Sequence, residues 1–231
     1  MRRERGITLL DTLLAMSMLT VLTLAIFSVF EQGSSLLSLG NARASLSAEL
    51  RRVTTILGRD LLLSSFYTVQ ASAPYTMVVP RDDASNMTVR RDSLSFGCLA
   101  NPAASASYDS TSGLPRWDQY CIYTSTREAP NGKLFRFRVA RGGTIDTSQP
   151  QLPNHQSVVD AFPSGALANT TRVLTSQLVH FSVVRNAADQ EVEMRIILRG
   201  QAGRIQSGRK SLAELLETKI VIRPENTWPR L

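Results

Sequence analysis

The side chains able to do chemistry are few and widely spaced. There are two cysteines, Cys98 and Cys121, and two histidines, His155 and His180. Zinc, haem and iron–sulfur sites need several such ligands at close intervals. No such spacing exists here, so no metal and no cofactor is expected. Asp82, Asp83 and Asn86 could ligate calcium, but a turn with solvated acids explains them more simply. Neither a serine-hydrolase elbow, a zinc-protease pair, a phosphate-binding loop nor a dinucleotide fingerprint occurs. With no catalytic constellation, the chain is not read as an enzyme. The cysteines remain. In a domain outside the cytoplasm they can oxidise, and a bridge between them would enclose a loop of about 24 residues, worth about 3 kcal/mol in chain-entropy terms. A Cys98–Cys121 disulfide is expected in preference to two buried free thiols.

The charge balance excludes another class. Of 231 residues, 26 are Lys or Arg and 19 Asp or Glu, giving a formal charge of +7. The tightest basic groups are Arg2/Arg3/Arg5, Arg51/Arg52, Arg90/Arg91 and Arg136/Arg138. They are dispersed and alternate with acids, whereas a nucleic-acid binder gathers its arginines on one face among aromatics. No nucleic-acid partner is expected. Hydrophobic residues make up 43% and charged residues 19% of the chain, which excludes disordered and collagen-like classes. The mean hydropathy of -0.06 averages an uneven chain: the apolar residues are concentrated at its start.

That start has three parts. Met1–Gly6 reads MRRERG and carries three arginines. Ile7–Phe30 follows as 24 residues with a single charge, Asp11. As a helix it would be about 36 Å long, enough to cross a hydrocarbon core. The arginines before it place the N-terminus in the cytoplasm and the remainder outside. The run is too long for the apolar part of a secretory signal, and no A-x-A pattern follows Phe30. A plain membrane anchor explains the length but not a carboxylate in the apolar segment, which is costly without a partner.

The stretch RRERG-ITLLDTLLAMSMLTVL resembles the N-terminus of type IV prepilins and type II secretion pseudopilins. In that family a basic leader ends in Gly, a membrane peptidase cuts after it and methylates the new amine, and an acid stands fifth in the mature chain. The resemblance implies cleavage after Gly6, Ile7 as the methylated mature N-terminus, and Asp11 as the acid. Ile7 stands where Phe or Met is usual, and Asp11 where Glu is usual. The family implies that Asp11 pairs with the amine of a neighbouring subunit. Removing one member of such a buried pair is costly, so the pair sets register. The implied partners are other pilin or pseudopilin subunits, the prepilin peptidase and the inner membrane. The implied destination is a pilus or pseudopilus, with the C-terminal domain on the periplasmic side. The rival reading is an uncleaved, single-pass anchor for a periplasmic binding or sensor domain.

The elements behind this start follow from periodicity. No proline precedes Pro74, so nothing forces a helix starting at Ile7 to break. Leu39, Leu46 and Val53 recur every seven residues, with Leu50 and Leu57 between them, an apolar stripe of nearly helical period. Arg43, Glu49, Arg51, Arg52 and Arg59 fill the other positions. The helix is expected to run to about residue 65, with Gly33, Gly40 and Gly58 as soft points. The expected organisation is a leader (1–6), a transmembrane half-helix (7–30), an amphipathic half-helix (31–65) and a β-rich domain (66–231).

Within that domain, alternation predicts strands at 75–79, 93–96, 118–126, 134–139, 173–184, 191–198 and 216–222. Asn131-Gly132 is a tight-hairpin signal. Residues 100–116, 142–171 and 200–211 read as loops. Alternating strands joined by polar turns imply antiparallel sheet with one face on a core, an α+β layout with the sheet on the helix's second half. This order also resembles the larger minor pilins and pseudopilins of the J or W type, through Arg59-Asp60-Leu61, Leu94-Ser95-Phe96 and the terminal strand before Pro224-Glu225-Asn226. The resemblance implies two small antiparallel sheets beside the helix.

Overall fold

The computed structural model describes residues 9–81, 85–111, 113–140, 171–201 and 213–226. One helix, α1 (Leu9–Leu62), occupies the N-terminal quarter. At 54 residues it is about 80 Å long. It passes unbroken through Gly33, Gly40 and Gly58, the expected soft points. Its second half buries Leu46, Val53, Leu57 and Leu61, a stripe of seven- and four-residue steps that keeps one face turned to the sheet.

Among the described residues nine strands follow: β1 (Gln70–Ala71), β2 (Thr76–Pro80), β3 (Asn86–Arg90), β4 (Leu94–Cys98), β5 (Gln119–Ser125), β6 (Gly132–Ala140), β7 (Thr171–Asn186), β8 (Glu191–Gln201) and β9 (Ala213–Ile222). Seven of them form one sheet in the order β1-β4-β5-β6-β7-β8-β9, every pair antiparallel. Strands β2 and β3 form a separate hairpin. The layout is α+β, as expected, but the division into two small sheets is not what the structure has. One broad meander carries the helix, and the second sheet is only a hairpin.

The helix packs on β7, β8 and β9. On β8 the alternation is regular: Val192, Met194, Ile196 and Leu198 are buried on the helix side. Between them, Glu193 and Arg195 point away and pair with Lys219 and Glu217 of β9. Ile197, on the far face, joins Val179, Val79 and Val89 in a second small core beneath the hairpin. Tyr120, Ile122, Phe135 and Phe137 form a third on that same face. After β9 the chain returns to the end of α1. The Glu225 N–H donates to Leu62 O at 2.9 Å, the Asn226 N–H to Ser64 O at 3.2 Å, and Asn226 Nδ2 to Leu63 O at 2.8 Å. These donors satisfy carbonyls that a helix end leaves open.

Asn131-Gly132 does not form a two-residue turn. The connection spans residues 126–131, and Gly132 opens β6. Its backbone does not need the left-handed conformation. A Cβ there would lie 2.0 Å from an Arg91 guanidinium nitrogen and 2.9 Å from Thr126 O. Glycine is required by what packs against it.

Candidate functional site

The first half of α1 is bare. Residues 9–34 are all exposed, among them Leu22 at 59% and Phe30 at 74%. An 18-residue window of this helix has a mean hydropathy of 2.3 with none of it buried, so it is long and apolar enough to cross a membrane. Four of its hydroxyls turn inward to their own backbone. Thr12 donates to Leu9 O, Ser17 to Leu14 O, Thr20 to Met16 O and Thr23 to Leu19 O, at 2.7 to 2.8 Å. Such bonds let Ser and Thr sit in apolar surroundings without stranding a donor. Asp11 stands in the first described turn, where the helix dipole favours a negative charge. Gly6 and Ile7 lie outside the described residues.

The other end of α1 carries a polar junction. The Asp60 carboxylate accepts from the Tyr123 hydroxyl at 2.6 Å and from Arg136 Nε and Nη2 at 2.6 and 3.0 Å. Arg138 Nη2 stands 3.8 Å away. The bidentate geometry holds Asp60 and Arg136 in one arrangement. Burial, then the neighbouring Cys121 and Asp60, drives the Tyr123 hydroxyl far above its ordinary value, so it stays a donor. Burial opposes the charge on Arg136, but the Asp60 hydrogen bond together with the charges of Cys121, Asp60 and Tyr123 outweighs it and raises its pKa. Residues 134–139 alternate as expected, yet the arginines face the helix. Phe135 and Phe137 belong to the core on the opposite side. In the sequence Arg136 is one of several dispersed arginines. It was the partner Asp60, 76 positions away, that no local pattern could reveal.

Beside this junction lie the two cysteines. The structure holds both as buried free thiols, so the expected disulfide is not present in it. Register gives the physical reason. Cys98 pairs with Gln119 and Cys121 with Phe96, so the thiols sit on a diagonal rather than directly opposite. Diagonal neighbours are about 7–8 Å apart at Cα, at the limit of what a disulfide spans. The Cys121 thiol instead reaches Asp60 Oδ2 at 3.4 Å. A cleft of about 40 Å³ opens here, lined by Asp60, Cys98, Tyr108, Arg138 and Asn226 among others.

A third polar group sits under the hairpin. Arg91 is buried and donates to five backbone carbonyls, those of Thr126, Glu128, Pro130, Leu178 and Val179. Burial lowers its pKa, opposed by Glu128 and Tyr75. Asp92 binds Arg90 Nη2 at 2.6 Å and the Val183 N–H at 3.0 Å. His180 Nδ1 accepts the Arg90 N–H at 3.1 Å, and Nε2 faces Ser182 Oγ at 3.0 Å. A ring accepting at Nδ1 is neutral with its proton on Nε2, and burial pushes its pKa below 6.5. With both nitrogens engaged, the histidine works as a packed connector. His155, Asp82 and Asp83 lie outside the described residues. Among the described residues no cluster of three His, Cys, Asp or Glu side chains could hold a metal.

The chain matches no protein-family model, no curated protein and no solved structure.

Proposed function

We propose that this chain is a non-enzymatic assembly subunit, a minor pilin or pseudopilin. It would insert in the inner membrane, be cleaved after Gly6, and pack through α1 into a type IV pilus or secretion pseudopilus, at its initiating or tip complex. The observation that carries the reading is the division of one continuous helix. Its second half is packed on the chain's own sheet, while residues 9–34 offer apolar side chains on every side. Such a half-helix must be enclosed by lipid while in the membrane and by neighbouring helices once assembled. The leader boundary at Gly6–Ile7 and the acid at Asp11 add the chemistry of processing and register. In the assembled filament, the Asp11 carboxylate pairs with the N-terminal amine of an adjacent subunit's Ile7. Export also places Cys98 and Cys121 where oxidants act on them.

The first test is the N-terminal residue of the protein recovered from membranes. The reading requires Ile7, and a chain still starting at Met1 would return it to an uncleaved anchor for a binding or sensor domain. The second test is Asp11→Ala. The variant should insert and be cleaved normally, because a carboxylate in the apolar run hinders insertion. It should then incorporate poorly into sheared filaments or complexes of minor subunits at equal membrane abundance. Asp11→Glu should incorporate normally. Undiminished incorporation of Asp11→Ala would remove the register role.

A further inference from the structure

The two cysteines differ in a way that orders their chemistry. Cys121 has no exposed surface, while Cys98 keeps 8% and lines the cleft beside Arg138. They lie on adjacent antiparallel strands, diagonal neighbours on one face of the sheet. An external reagent therefore meets Cys98 first and reaches Cys121 only through it. We propose that Cys98 is the entry thiol, and Cys121 the resolving thiol, of a site modified by low-molecular-weight disulfides.

The surroundings fit these roles. The neighbouring Cys121 thiol, helped by Arg138, outweighs burial and lowers the Cys98 pKa, favouring the attacking thiolate. Burial, followed by the neighbouring Cys98 thiol and the Asp60 charge, raises that of Cys121 well above its ordinary range, so it stays protonated until a sulfur beside it is activated. The Cys121 proton has two acceptors within reach, Cys98 and Asp60 Oδ2. It can swing to the Cys98 sulfur as that sulfur gains charge.

The steps balance. The Cys98 thiolate attacks a disulfide R–S–S–R, forming Cys98–S–S–R and releasing one RS⁻. Cys121 gives up its proton to the released thiolate and attacks the Cys98 sulfur, displacing the second RS⁻. Two protein thiols are oxidised, and one small disulfide is reduced to two thiols. Asp60 loses the Cys121 donor but keeps Tyr123 and Arg136, so the junction survives oxidation. The diagonal placement lies at the limit of what a disulfide spans, so closure requires β4 and β5 to shift locally as well as both side chains to turn. That slows closure and leaves the mixed disulfide at Cys98 long enough to trap.

This inference goes beyond the assembly reading and stands on different residues, so the two fail separately. The test uses the full chain in detergent with hydroxyethyl disulfide as the probe, followed by intact mass. The wild type should lose two hydrogens and carry no adduct. Cys121→Ser should accumulate one adduct, mapped to Cys98. Cys98→Ser should react at least about tenfold more slowly, as a buried thiol does. Arg138→Gln in the Cys121→Ser background should slow adduct formation several-fold. Cys98→Ala and Cys121→Ala repeat the comparison should a serine variant misfold. Equal reactivity of the two single-cysteine variants would overturn the order. A wild type that stops at the adduct would overturn the resolving role. Reaction of both thiols only in denaturant would overturn the site.

Discussion

Leu22 and Leu57 are the same residue in the same helix, yet Leu22 is 59% exposed and Leu57 fully buried. Backbone hydrogen bonding is continuous between them, so local conformation does not separate the halves. The difference lies in what surrounds the apolar residues. Around Leu22 they cover the whole circumference, and none of the described residues packs over them. Around Leu57 they form a stripe, and the sheet meets it. The intervening charged residues are not idle on a solvated face. Arg43 pairs with Glu214 at 3.1 Å, and Arg52 donates to Leu174 O at 2.6 Å. A helix half that finishes its packing internally fixes the domain. A half that leaves it unfinished specifies an environment.

The comparison is sharpest under truncation. Leu57→Ala should cost the β-rich domain about 3 kcal/mol, the usual loss for a large side chain cut from a packed core. Leu22→Ala should leave denaturant unfolding of the full chain in detergent unchanged. Equal losses would break the distinction between the halves. Asp60→Ala comes next. It strands the Arg136 guanidinium and the Tyr123 hydroxyl, and partial exposure limits the cost to about 2 kcal/mol. Asp60→Asn should recover part of it. The same unfolding midpoints check both variants. The smallest effect has the opposite sign. A Cβ at Gly40 meets nothing within 4 Å, so Gly40→Ala should stabilise the helix locally by about 0.5–1 kcal/mol. Amide exchange near residue 40 should slow, with the rest of the domain unmoved. Faster exchange there would mean that the glycine serves a bend the helix needs.

The parts legible in the sequence are those that local periodicity governs. The seven-residue stripe through Leu46 and Val53 located the packed face, and the alternation from Val192 to Leu198 located a central strand. Strand β3, with the sequence NMTVR, shows too little alternation to stand out, and two-residue β1 is set only by its pairing with β4. Charge partners were invisible for another reason. Asp60, Tyr123 and Arg136 meet only because the sheet folds back on the helix end, and Arg91 binds carbonyls, which carry no sequence signature. The glycine at 132 was recognised as special for the wrong cause: a turn signal was read where the need is room for a buried arginine. Asp11 was singled out by a family resemblance alone, whereas the polar junction at Asp60 needed coordinates.

The unbroken helix makes the chain a lever. The sheet and the returning chain grip it from Arg43 to Asp60, and Leu9 lies about 50 Å beyond Arg43. Rotation of the sheet against the helix by about 5° would sweep that far end through about 4.5 Å, most of one helical turn of rise. Small adjustments at the grip are thus magnified into displacements large enough to change which neighbouring groups Asp11 can touch.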